Sequence, residues 1–116
     1  MPPDLDTDVL DQLVVDLDDR SIVENVVRTY LDALEPRLAM VEAALAAGDA
    51  RAVDESAHAL ASASVLVGLT RLTATGRAVE HAAAAGDLVL AADRAVEMAD
   101  AVSGARTALV GWLERA

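Results

Sequence analysis

The string Ala-Ala-Gly-Asp occurs twice, at 46–49 and 84–87, and constrains the fold of this 116-residue chain more than any other feature. Glycine accepts the left-handed conformation that closes a helix, and the aspartate after it caps the next one. The residues around the two copies do not match, so they are two uses of one stop-start device rather than an internal repeat. The stretches between these points are rich in strong helix formers, with 26 alanines and 16 leucines in the chain, and show no strand-like alternation bounded by hairpin turns.

A short first helix is predicted over Asp8–Leu17, its turns marked by Val9, Leu13 and Asp16-Leu17. Ser21 stands three before Glu24, the spacing of a capping box, and opens a second helix. Val23, Val26, Val27, Tyr30, Leu34, Leu38, Val41 and Leu45 sustain its three-four periodicity, and Pro36 kinks it rather than ending it. A third helix runs from Ala50 to about Val67, a fourth covers about Leu69–Ala85, and a fifth roughly Leu88–Glu114. Long helices with very short connections pack as antiparallel neighbours. The expected fold is all-α: an antiparallel up-down four-helix bundle with a short extra N-terminal helix. Residues 1–6 are expected to be a flexible acidic end, and 7–116 a single domain.

Charge and composition exclude several functions. Twenty acidic residues against nine arginines and no lysine give a net charge of −11, which repels phosphate backbones and argues against nucleic-acid binding. Residues 1–20 carry seven of the aspartates and a net charge of −6; this run reads as a solvated face. Without cysteine there is no disulfide, thiolate zinc site or cysteine nucleophile. Met1-Pro2-Pro3-Asp4 lacks the basic and apolar regions of a signal peptide, and charges interrupt every long apolar run. A cytoplasmic domain with no membrane partner is expected.

The third helix carries the chemistry. At about 100° per residue, Val53, Ala57, Leu60, Ser64 and Val67 form one core stripe. His58 lies far from that stripe, with Arg51, Asp54, Glu55, Ser62 and Val65 on its side and the small Ala61 and Ser62 one turn onward. Asp54 and Glu55, one turn before it, favour its protonated ring. An exposed imidazole offers a nucleophilic nitrogen to another protein's reactive group; on spacing alone, an ordinary surface histidine is the favoured reading.

The string His58-Ala59-Leu60-Ala61-Ser62-Ala63-Ser64-Val65-Leu66-Val67-Gly68 resembles the signature of histidine-containing phosphotransfer (HPt) domains, His-x-Leu-Lys-Gly-Ser-Ser/Ala followed by Leu-Gly. Leu45-Ala46-Ala47-Gly48-Asp49 before it, and Leu72, Val79-Glu80 and Ala85-Gly86-Asp87 after it, keep the family's order, so the likeness spans about residues 17–114. The resemblance implies a phosphorelay intermediate without turnover of its own. His58 would be phosphorylated from the aspartate of one response-regulator receiver domain and would hand the group to another, with a hybrid histidine kinase upstream. The receiver supplies the Mg²⁺, and no cofactor or metal site of the chain's own is expected. Asp54, Glu55, Ala61, Ser62 and Val65 would surround His58 on the docking face of a monomer. Two positions depart from the family: its lysine is Ala61 here and its glycine is Ser62. Losing the lysine removes a positive charge from the phosphoryl site, while the Ser62 hydroxyl adds a donor that can assist. Arg71 and Arg77 lie on the following helix, and wheel position places neither clearly beside His58.

Glu80 flanks the core-facing Val79, where the family commonly has a polar residue that orients the histidine. A solvated glutamate paired with Arg77 or with nothing is the other reading. A metal site combining His58, His81 and Asp54 or Glu55 lacks HxxxH or ExxH spacing, so His81 reads as an exposed helix histidine. Ser62 and Ser64 have no nucleophile elbow, and there is no glycine-rich phosphate loop. Met40 and Met98 read as core filler and Trp112 as the anchor of the last helix. The alternative function is a helical module that binds receivers or dimerises without phosphotransfer; such a binder tolerates His58→Gln.

Overall fold

A computed structural model describes residues 2–115. It contains five helices and, among the described residues, no strand: α1 (Thr7–Leu17), α2 (Arg20–Ala46), α3 (Ala50–Leu66), α4 (Thr70–Ala84) and α5 (Leu88–Glu114). Helices α2 to α5 pack in sequence, α5 returns against α2 to close a four-helix bundle, and α1 lies on α2.

The two Gly-Asp pairs act as expected. Gly48 and Gly86 take φ of +66° and +76°, a region that costs an L side chain about 1–2 kcal/mol. Asp49 and Asp87 then cap α3 and α5, their carboxylates accepting from the Ala52 and Leu90 amides at 3.1 and 3.0 Å. The start of α2 differs from expectation. Asp19, not Ser21, is its N-cap, accepting from both the Ser21 amide and hydroxyl. Glu24, freed from a capping box, faces Arg20 at 3.5 Å. The helix continues through Pro36 to Ala46.

Every helix contributes buried leucine, joined by valine on α2 to α5, with Val53, Ala57, Leu60, Ser64 and Val67 buried as the α3 stripe requires. Met98 is fully buried, but Met40 is 64% exposed and is not core filler: its neighbour Val41, fully buried, takes the core position of that turn. Trp112 is buried on α5. Its indole N–H donates to Asp11 of α1, and Arg20 of α2 stacks 4.1 Å over its ring while donating to the Trp112 carbonyl. One aromatic residue therefore joins three helices.

The acidic end is not free over the described part of 1–6. The Asp6 amide donates to Gly68 O at 2.8 Å, and Pro3 O accepts from the Arg71 amide and the Thr70 hydroxyl. Asp4 sits 3.4 Å from the Arg71 guanidinium, which also binds Asp100 of α5. Backbone groups of the α3–α4 connection thus hold a segment whose composition alone suggests a solvated tail. Met1 lies outside the described residues.

Candidate functional site

The site is made by the approach of α3 to α4. Ala61 is fully buried, because Gly76 of α4 lies directly over it: a Cβ on Gly76 would stand 3.1 Å from Ala61 Cβ. Two helices that meet through alanine and glycine come closer than leucine would allow. The antiparallel register then carries Glu80, one turn further along α4, to the level of His58, one turn earlier on α3. The residue preceding Glu80, Val79, is fully buried and anchors this turn of α4 in the core.

Glu80 Oε2 lies 2.5 Å from His58 Nδ1. A carboxylate oxygen accepts, so the proton of this contact belongs to Nδ1, and Nε2 carries the free lone pair. The imidazole is 60% exposed while the carboxylate is 19% exposed, so the acid is the fixed partner and the ring faces solvent. Ser62 Oγ stands 3.4 Å from Nε2, on the side toward the C-terminus of α3.

Beneath the site a polar pair is enclosed in the core. Ser64 is fully buried; its hydroxyl donates to Leu60 O at 2.7 Å and lies 2.6 Å from the Tyr30 hydroxyl of α2. A serine hydroxyl has one proton, so Tyr30 donates to Ser64. This chain fixes the rotation of α3 between α2 and α4, and with it the outward direction of His58.

Of the residues expected around His58, Ser62 and Glu55 are exposed, Val65 is 48% exposed and Asp54 is half-buried. Ala61 is not on the surface at all, because Gly76 covers it, and it offers nothing to a docking partner. Glu55 is taken by Arg51 at 3.0 Å, so the carboxylate on the imidazole comes from α4 rather than from the preceding turn of α3. Glu80 meets His58 and not Arg77. His81 is exposed, and among the described residues no group of three or more histidines, aspartates or glutamates is placed to hold a metal ion. Gly76 and Tyr30 belong to the site's support and escaped the sequence reading. The signal for Gly76 was present, since a glycine inside a helix costs about 1 kcal/mol relative to alanine and needs a packing reason.

The comparisons with known proteins follow this geometry. A family profile described as the Hpt domain matches residues 25–108. The crystal structure of histidine-containing phosphotransfer protein B (HptB) from Pseudomonas aeruginosa PAO1 is similar over 100% of this chain and 99% of that one, with a TM-score of 0.90 and 27% identity. No curated protein sequence matched.

Proposed function

The chain belongs to the histidine-containing phosphotransfer family, and on that premise we propose that His58 is the residue that takes and passes on the phosphoryl group. A phosphotransfer role in two-component signalling follows from the family and from the likeness to HptB. The observation that supports His58 as its centre is the contact of Nδ1 with Glu80 at 2.5 Å, which leaves Nε2 outward.

In this reading the Nε2 lone pair attacks the phosphorus of a receiver's aspartyl phosphate. The N–P bond forms as the P–O bond to the aspartate breaks, and the electron pair leaves on that carboxylate. No proton need move: the Nδ1 proton stays on the ring, which becomes a phosphorylated imidazolium facing the Glu80 carboxylate. Glu80 thus holds the reactive tautomer and offsets the charge created on transfer. Attack by a second receiver's aspartate on the same phosphorus reverses the bonds. The receiver brings the Mg²⁺ that this chemistry needs. The chain acts as a cytoplasmic phosphocarrier between a hybrid histidine kinase and response-regulator receivers. Ser62, Val65 and Glu55 border the approach to His58, with Asp54 at its edge.

The test is phosphotransfer from phosphorylated receiver domains, with Mg²⁺, to wild type and to His58→Gln. Acid-labile label on wild type alone supports the carrier. Receivers that bind both proteins equally and label neither favour the binding-only module, for which the absence of the family lysine at Ala61 is the argument.

A further inference from the structure

We propose that Arg77 supplies the cation that binds the phosphoryl group on His58, in place of the lysine that Ala61 does not provide. The inference rests on the reading of His58 above and concerns a residue that nothing else in that reading uses.

The register of the helix pair places it. Ala61 packs on Gly76 and His58 on Glu80, so α4 descends as α3 ascends. Arg77 follows Gly76 directly and precedes Glu80 by three residues, which puts it one turn from Glu80 toward the level of Ser62. At about 100° per residue it lies 60° further round α4 than Glu80, on the outward flank of the side that faces α3. The free ring nitrogen lies toward the same level, because Nε2 is the atom near Ser62 Oγ, at 3.4 Å. A phosphoryl group on Nε2 therefore stands above Ser62, within the sweep of an arginine side chain rooted at position 77.

Arg77 is also available. It is exposed and, among the described residues, makes no ion pair or side-chain hydrogen bond. The other candidates are occupied or elsewhere. Arg51 is held by Glu55, Arg71 by Asp4 and Asp100 on the far side of α4, and Arg37 lies over the Tyr30 ring on α2. The need is strong in a chain of net charge −11, where a phosphate dianion on His58 meets repulsion from the nearby Glu80 carboxylate. A guanidinium pairs two donors with phosphate oxygens and is suited to that load.

The experiment uses phosphoramidate as donor, so that no receiver contact enters. Wild type, Arg77→Ala, Arg77→Lys and His58→Gln are phosphorylated and followed by ³¹P NMR, and the Arg77 Nε–H signal, assigned by its absence in Arg77→Lys, is followed in parallel. Arg77→Ala is expected to be phosphorylated roughly fivefold more slowly, the size of one exposed ion pair, with an unchanged circular dichroism spectrum. Arg77→Lys should recover most of the rate, and the Nε–H signal should shift when wild type is phosphorylated. Label on wild type with an unchanged Arg77→Ala rate and a stationary signal overturns the role of Arg77 alone. In a parallel transfer from phosphorylated receiver domains, an effect of Arg77→Ala that phosphoramidate does not show overturns it too and makes the residue a docking contact. No phosphohistidine on wild type sinks the reading of His58 and this inference with it.

Discussion

Ala61 and Gly76 face each other across α3 and α4 with room for nothing larger than a methyl group, since even a Cβ on Gly76 would lie 3.1 Å from Ala61 Cβ. That closeness lets Glu80 reach His58 one turn away. Gly76→Leu must push α4 off α3, and overpacking of this kind costs about 2 kcal/mol. We expect urea unfolding to show that loss. Gly76→Ala is the informative control. It gains about 1 kcal/mol of helix propensity and gives part of it back in the tight contact, so its stability should stay within about 1 kcal/mol of wild type.

The Tyr30–Ser64 pair predicts an asymmetry. Ser64→Ala leaves the Tyr30 hydroxyl, in a residue only 6% exposed, without its acceptor, a loss of about 2 kcal/mol. Tyr30→Phe leaves Ser64 still donating to Leu60 O, and should cost about 1 kcal/mol or less. The double variant should lose less than the sum of the two. Equal single effects in chemical denaturation would overturn this account of the pair.

Burial pushes the Tyr30 hydroxyl above its ordinary value of 10.0, against smaller opposing effects of Ser64, whose hydroxyl can turn to donate to the phenolate, and of nearby Arg37. The folded state thus favours the neutral phenol. Its contribution is complete below the unfolded value near 10 and is lost as pH rises from there through the folded value. Tyr30 is the chain's single tyrosine, so tyrosinate absorbance reports it directly. Titration of the native protein should lie above that of the urea-unfolded chain. Tyr30→Phe should lose less stability than wild type does as pH rises past 10.

Much of this was legible because alanine-rich helices leave only their ends to be decided, and Gly-Asp decides ends. The predicted bounds of the fifth helix, Leu88–Glu114, are those of α5, and the α3 stripe is buried residue for residue. What escaped depends on neighbours remote in sequence. Ala61 falls outside the α3 stripe by periodicity and is buried only because a glycine fifteen residues on meets it. Met40 keeps a helical spacing, but the next residue, the fully buried Val41, takes the core position of that turn and leaves Met40 on the outer side. Asp19 took the cap expected of Ser21 because a run of aspartates offers several acceptors and spacing does not rank them. Residues 3–6 looked like a tail because their anchors, Gly68, Thr70 and Arg71, lie more than sixty residues away and act largely through backbone atoms, which composition does not report.

Gly68 is one of those anchors. It has φ of +77°, and an added Cβ would lie 2.7 Å from Asp6 O and 2.9 Å from Val9 Cβ. Gly68→Ala meets both the left-handed penalty and that clash, and should cost roughly 2 kcal/mol. Because Gly68 O accepts from the Asp6 amide, the loss should be local first. Hydrogen exchange at Asp6 should accelerate more than exchange in α5. Uniform acceleration would show that the N-terminal segment unfolds only with the whole domain.

Glu80 is expected to act on His58 through the ring's tautomer, and this is measurable without any partner. In wild type, ¹⁵N shifts should place the proton of the neutral imidazole on Nδ1, since Glu80 Oε2 accepts there at 2.5 Å. Glu80→Ala removes the acceptor and should release that preference, while the fold stays intact because the pair is open to solvent on the His58 side and contributes at most about 1 kcal/mol to stability. Phosphoryl transfer should then slow roughly tenfold, the value of one hydrogen bond to a charged group. Receiver binding should be unchanged, so the loss appears in the maximal rate and not in the half-saturating receiver concentration. Glu80→Gln separates the two contributions. Its amide oxygen still accepts from Nδ1 and should keep the tautomer, but it brings no charge to the phosphorylated imidazolium, so its rate should fall between the other two. A Glu80→Ala protein with wild-type tautomer and wild-type rate would leave the carboxylate a surface neighbour of His58 and nothing more.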